Sequence, residues 1–82
     1  MKQKNTLVKE DYMTIEDIIN MDKPILTPAE VAAVLHADAK MIRWQAKNEP
    51  SKLGFTVSRV GTRTKIPRLA FIAWFEGVNN YD

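Results

Sequence analysis

Lysine and arginine side chains recur along one stretch of this 82-residue chain, at spacings that place several of them on one face of a helix. Lys40, Arg43 and Lys47 stand at positions i, i+3 and i+7, whereas Ile42 and Ala46 fall on the opposite side. This pattern predicts a helix with one buried and one cationic face. Such a face can enter a DNA major groove, where arginine bonds a guanine edge and lysine meets phosphates. A solvated helix face is the plain alternative.

A second basic group lies in a β-prone stretch around Gly61. Its side chains can follow phosphates or probe a minor groove, although charge on an exposed strand that prevents aggregation explains them too. Arg68, which follows this stretch, can reach a phosphate or can be an ordinary surface residue. The candidate DNA contacts are Lys40, Arg43, Trp44, Lys47, Arg59, Thr62, Arg63, Lys65 and Arg68.

Trp44 has a helical angle that points nearly opposite Ile42 and Ala46, so it belongs with the cationic face or with whatever covers the edge of that face. An indole at a DNA surface can contact a thymine methyl group or a sugar. We favour the interpretation that Trp44 is covered by the hairpin or by the N-terminal segment.

Charge is divided unevenly between the two halves of the chain, although the net charge is only +2. Residues 1–36 contain four lysines and six acidic residues, whereas residues 39–75 contain eight basic residues and Glu49 as the single acidic one. We therefore expect a polyanion to meet the second half.

Capping signals divide the first half into helices. Thr14 and Asp17 form a capping-box pattern that predicts a short helix over about residues 15–20. Thr27, Pro28 and Glu30 form a stronger start signal, which predicts a helix over residues 28–35. His36-Ala37 then breaks the chain and Asp38 caps the cationic helix, which we place at residues 39–48.

The second half reads as a hairpin followed by an apolar helix. Strands are predicted over residues 55–60 and 63–66, joined by Gly61-Thr62 in a type II′ turn that would place Val57 opposite Ile66. The last helix begins at Pro67-Arg68 and is expected to stop at Gly77. Because it is apolar almost all round, either the N-terminal helix packs across it or part of it forms a protein interface, with Phe71, Trp74 and Phe75 as candidates.

This order of elements predicts a single-domain winged helix-turn-helix, mainly α with a small β-hairpin. We divide the chain into an N-terminal arm and short helix at 1–25, the winged domain at 26–77 and a polar tail at 78–82.

Several functional classes are not expected. The sequence has no cysteine and a single histidine, and no nucleophile stands in a pattern with a base and an acid, so we predict neither a metal site, a cofactor nor an enzyme. No apolar run is long enough to span a bilayer, so we expect no membrane contact and place the protein in the cytoplasm, associated with the nucleoid. We expect no small-molecule ligand.

Three segments resemble the small winged helix-turn-helix domains of the excisionase family: L-T-P-A-E-V-A-A-V-L at 26–35, D-A-K-M-I-R at 38–43 and V-G-T-R-T-K-I-P-R at 60–68. The resemblance implies Lys40 and Arg43 on the recognition helix, with Arg59, Arg63 and Lys65 on the wing. The pattern is also similar to the DNA-binding head of MerR regulators, but we expect no effector domain and therefore no ligand-sensing regulator.

Members of the excisionase family are mostly phage or mobile-element proteins. The resemblance therefore implies that this protein binds double-stranded DNA and acts in recombination or transcription regulation, with an integrase or further copies of itself as protein partners. The rival hypothesis is a protein-binding module, such as a phage-encoded inhibitor of a host protein or nucleoprotein, because carboxylate surfaces attract the same basic face.

Overall fold

A computed structural model describes residues 12–79, which form four α-helices and a three-stranded antiparallel sheet. The predicted arm before residue 12 and the end of the predicted tail lie outside the described residues. In chain order the elements are α1 (Ile15–Ile19), β1 (Ile25–Leu26), α2 (Pro28–Leu35), α3 (Ala39–Asn48), a 3₁₀ turn (Pro50–Lys52), β2 (Ser58–Val60), β3 (Arg63–Pro67) and α4 (Arg68–Asn79).

Both predicted capping boxes are present. At the start of α1 the Asp17 amide donates to Thr14 Oγ1 over 3.2 Å, and the Thr14 amide donates to Asp17 Oδ2 over 3.0 Å. At the start of α2 the same exchange joins Thr27 and Glu30, at 3.2 Å and 2.9 Å. These bonds satisfy amides that a helix start would leave without partners, so the threonines fix where both helices begin.

The break between α2 and α3 depends on a left-handed residue. His36 has φ 57°, and the following Ala37 amide donates 2.9 Å to the Ala32 carbonyl, which closes the end of α2. Asp38 then caps α3 by accepting from the Lys40 amide at 2.9 Å, as predicted. The bounds of α2 and α3 agree with the sequence prediction, and Ile42 and Ala46 are buried between the helices and the sheet.

The hairpin has the predicted two-residue loop. Val60 pairs with Arg63 across Gly61-Thr62, and φ at Gly61 is 63° whereas φ at Thr62 is not positive, which fits the type II′ turn. The first strand is shorter than predicted, because the ladder ends at Ser58. Val57 therefore lies outside β2, although it packs against the core.

A third strand was not predicted. β1 pairs with β3 through Ile25 opposite Pro67 and Leu26 opposite Ile66, so β3 is the central strand of the sheet in the order β1-β3-β2. On this side Ile66 pairs with Leu26, and both residues are fully buried. The β2–β3 register is the predicted one, although its ladder ends one pair before Val57. The expectation of a hairpin alone was incomplete, since the sheet is tied to the start of α2.

The last helix differs from the prediction at its end. Gly77 does not stop α4, which continues to Asn79. The space around Gly77 is open, with no neighbouring atom within 4 Å of where a β-carbon would stand. A glycine in an exposed helical turn costs only about 1 kcal/mol, so it does not by itself end a helix whose other side is packed.

The core is closed by α4 and α1. Phe71 of α4 and Ile18 of α1 are both fully buried, and the two helices pack against each other as predicted. Phe55 stacks edge-on against Phe71 and Trp74, with ring centroids 5.1 Å away in both pairs. This aromatic cluster joins α4 to the chain segment that leads from α3 into the hairpin.

Candidate nucleic-acid interface

A groove of about 860 Å³ lies between α3, the hairpin and the segment that leads from β1 into α2. Eight of the nine candidate DNA contacts line it, and Arg68 is the exception. The lining residues are Ile25, Leu26, Thr27, Pro28, Lys40, Arg43, Trp44, Lys47, Asn48, Arg59, Thr62, Arg63, Thr64 and Lys65. Two basic clusters that are separate in sequence therefore share one surface.

One wall of the groove is the cationic face of α3. Burial of Ile42 and Ala46 orients this helix, so that Lys40, Arg43 and Lys47 are exposed on the other side. The aliphatic parts of such side chains can lie along the wall while their charged ends reach out. The predicted division of α3 into a buried and a cationic face is confirmed.

The other wall is the hairpin. Arg59 lies opposite Thr64 in the register of β2 and β3, next to the Val60–Arg63 pair that closes the turn. β3 is held in place because Ile66 is buried and pairs with β1. The basic residues of the hairpin are therefore carried by a strand that is anchored in the core at its other end.

The groove is cationic and has no acidic side chain in its lining. Its six basic residues are Lys40, Arg43, Lys47, Arg59, Arg63 and Lys65. The ion pairs within residues 12–79 involve other lysines: Lys23 with Glu30 and Lys52 with Glu49. Six positive charges with no internal counter-ion in the described structure repel one another and favour an external polyanion.

Trp44 is in the middle of this groove and is 51% exposed. The expectation that the hairpin covers it was wrong, because the hairpin forms the opposite wall instead of folding over the indole. The residues before Tyr12, which were the other predicted cover of the indole, lie outside the described residues. Within the described part of the chain the indole makes no ring contact. The Trp44 backbone carbonyl accepts a hydrogen bond of 3.0 Å from the Asn48 side-chain amide.

Arg68 has a different environment. Its Nε donates to the Lys23 carbonyl at 2.8 Å, and its Nη1 donates to the Ile19 carbonyl at 3.0 Å. A longer bond of 3.4 Å reaches the Ile18 carbonyl. The guanidinium thus closes the end of α1 and fixes the connection before β1, so the structure does not bring Arg68 to the groove.

Of the three aromatic residues proposed for a possible protein interface, the structure removes one, Phe71, from the surface. Phe71 is fully buried in the core, so it cannot contact a partner. Trp74 and Phe75 are half-buried and pack on Phe71, with ring centroids 5.8 Å and 6.1 Å from it. The exposed apolar residues of α4 are instead Leu69 and Val78.

The floor of the groove was not predicted from the sequence. Its lining residues are Ile25, Leu26, Thr27 and Pro28. Asn48 and Thr64 of the two walls also line the groove without having been candidates. Thr27 and Pro28 were interpreted as the start of a helix, and they form that start in addition to lining the groove. That they face the basic residues depends on the pairing of β1 with β3, which no local pattern indicates.

One ion pair fixes the start of α2 beside this floor. Lys23 Nζ lies 2.6 Å from Glu30 Oε2. Partial burial acts to raise the pKa of Glu30, but the hydrogen bond and attraction from Lys23, together with the bonds to Thr27, outweigh it and hold the pKa below its usual value. This pair leaves Lys23 neutralised at the edge of the basic surface.

Among the described residues no group of three histidine, cysteine, aspartate or glutamate side chains converges on a point where a metal ion could bind. Within the same part of the chain, no helix has the length and apolar character needed to cross a bilayer. Comparisons with protein-family models, curated proteins and solved structures find no match to the chain.

Proposed function

We propose that this protein is a DNA-binding protein of the excisionase type, with a winged helix-turn-helix fold in which α3 is the recognition helix and the β2–β3 hairpin is the wing. The observation that carries the proposal is the groove: six basic residues from two separate elements line one acid-free surface. A helix followed by a short turn and an exposed basic helix, with a basic hairpin beside it, is the arrangement that such a module presents to DNA.

In this proposal α3 lies in the major groove. Arg43, in the middle of the helix, forms paired bonds to a guanine edge, while Lys40 and Lys47 at its ends meet phosphates. The strand of DNA that borders the major groove then passes between α3 and the hairpin. Arg59, Arg63 and Lys65 follow its phosphates or reach the neighbouring minor groove, and Thr62 donates a hydrogen bond to the backbone at the turn.

Most of these contacts go to the DNA backbone, which gives affinity and orientation rather than sequence discrimination. A base contact contributes about 1–3 kcal/mol of discrimination, so a single copy would discriminate modestly. Binding of several copies side by side, or together with an integrase, would multiply the discrimination. We therefore place the protein on bacterial or phage DNA in the cytoplasm, acting on recombination direction or on transcription.

Salt dependence of binding to a duplex tests this proposal. Each phosphate contact adds about 0.9 to the slope of log K against log salt concentration. We expect wild-type protein to bind random duplex DNA with a steep slope, and the Lys40→Ala/Arg43→Ala variant to bind more weakly with a shallower one.

A matched pair of single substitutions locates the interface. Lys47→Gln and Lys52→Gln remove the same charge, but Lys47 lines the groove whereas Lys52 lies outside it, 65% exposed and 3.7 Å from Glu49. Lys47→Gln should lower the slope by about 0.9, and Lys52→Gln should leave it nearly unchanged. Equal changes of the salt slope in the two variants would contradict the groove as the interface.

Absence of duplex binding at low salt, with binding to an acidic protein instead, would favour the protein-binding alternative.

A further inference from the structure

Trp44 is the one aromatic side chain in the lining of the groove, and its position on α3 is central. It stands four residues after Lys40 and three before Lys47, so these three side chains share one face of the helix. Arg43 lines the groove beside it. Whatever surface this face meets, the indole lies in the middle of the contact and the cations lie around it.

Nothing in the described structure accounts for an indole here. Trp74, the other tryptophan, packs in the aromatic cluster with Phe55, Phe71 and Phe75. Trp44 has no ring partner among residues 12–79, its indole N–H has no acceptor there, and half of its surface is open. A half-exposed indole gains free energy when an apolar group covers it and removes its surface from water.

The edges of DNA bases in the major groove offer one such group, the C5 methyl of thymine; the other groups on these edges are polar. Sugars lie farther out, on the line that the basic ends of α3 and the hairpin would follow. We infer that Trp44 contacts thymine methyl groups and gives the protein a preference for thymine within its site. This inference rests on the proposed binding of α3 in the major groove.

The test compares two 24-base-pair duplexes that differ only in the methyl group: alternating d(AT) and alternating d(AU). Burial of one methyl group is worth about 0.8 kcal/mol, a factor of about four in affinity. Wild-type protein should therefore bind d(AT) about fourfold more tightly than d(AU), and Trp44→Ala should bind both equally. Met41→Ala is the matched control, because Met41 is an exposed apolar residue of the same helix, 52% exposed, that does not line the groove. It should keep the fourfold preference.

Tryptophan fluorescence gives a second readout that does not depend on affinity. The Trp74→Phe variant keeps only Trp44, whose emission should change on binding d(AT), whereas Trp44→Phe keeps only Trp74, whose emission should stay constant. Equal binding of d(AT) and d(AU) by wild-type protein would overturn the thymine contact and leave the proposed function intact. Tighter binding of single-stranded dT24 than of either duplex would also overturn it, since the indole would then stack on unpaired bases. Failure to bind any duplex would instead refute the proposed function itself.

Discussion

Gly54 connects the 3₁₀ turn to the hairpin, and replacing it with alanine should destabilise the fold for two separable reasons. Its φ is 85°, a conformation that costs an L-residue about 1–2 kcal/mol. In addition, a β-carbon at this position would stand 2.7 Å from Nε1 of Trp74 and 3.3 Å from Cε2. One of the two chain segments must therefore move.

The indole of Trp74 has little room to yield. Phe55, Phe71 and Phe75 surround it with ring centroids at 5.1, 5.8 and 6.4 Å. Forcing an extra methyl group into a packed interior costs about 1–3 kcal/mol, so Gly54→Ala should lose about 2–5 kcal/mol in total. A domain of this size has about 4–12 kcal/mol of stability at 0.05–0.15 kcal/mol per residue, so the loss would be a large fraction.

Gly61→Ala is the matched control. Gly61 also has a positive φ, 63°, but no atom lies within 4 Å of its would-be β-carbon. The Gly61→Ala variant should therefore lose only the stability that the backbone conformation costs, about 1–2 kcal/mol. Urea unfolding of both variants, followed by circular dichroism, separates the two costs. If Gly54→Ala loses no more stability than Gly61→Ala, the contact with Trp74 does not constrain the segment and our reasoning fails.

Two further predictions concern Glu30 and Arg68. Because the pKa of Glu30 is lowered in the folded protein, its pairing with Lys23 and Thr27 should stabilise the fold at neutral pH, and this contribution should be lost as pH falls from about 4.3 through the lower folded pKa. Urea unfolding at pH 7 and pH 3 should therefore show a stability gap between wild type and Glu30→Gln that is smaller at pH 3 than at pH 7; a gap of equal size at both pH values would contradict this. Arg68→Ala should lower stability by about 1.5–3 kcal/mol, because it removes charge-assisted bonds to backbone carbonyls, and should leave the salt slope of DNA binding unchanged. Arg63→Ala should lower the salt slope and leave stability nearly unchanged. If both substitutions lowered the slope equally, Arg68 would belong to the DNA interface.

Local signals in the sequence were sufficient to predict where the first three helices begin. Thr14, Thr27 and Asp38 each form the cap that the sequence predicts, and α3 has the predicted bounds. Capping depends on residues within three or four positions, so it can be read from a short window. The two-residue loop at Gly61 is local in the same way, since a glycine and the β-prone residues around it determine the register.

The errors concern contacts between distant parts of the chain. β1 has only two residues, too few to show a period, and its partner β3 lies about forty positions later. The apolar composition of α4 did not reveal which face is inside, so Phe71 was named among the possible interface residues although it is fully buried. Arg68 was read as a phosphate contact because the carbonyls that it bonds belong to the end of α1 and the segment after it.

The candidate groove was predicted in part for the same reason. The basic face of α3 follows from helical periodicity, and the basic hairpin follows from a glycine turn between two β-prone stretches, so the residues of both walls could be named from the sequence. The floor, with Ile25 and Thr27, forms only when β1 joins the sheet.

Backbone amide NMR of labelled protein, titrated with a 24-base-pair alternating d(AT) duplex at low salt, tests the central claim most directly. We predict that the perturbed amides cluster at residues 40–48 of α3 and 59–65 of the hairpin, while those of the exposed α4 residues Leu69 and Val78 stay unchanged. Perturbations centred on α4 would contradict the account, as would unchanged spectra at excess duplex, because the acid-free groove would then not be the surface that meets DNA.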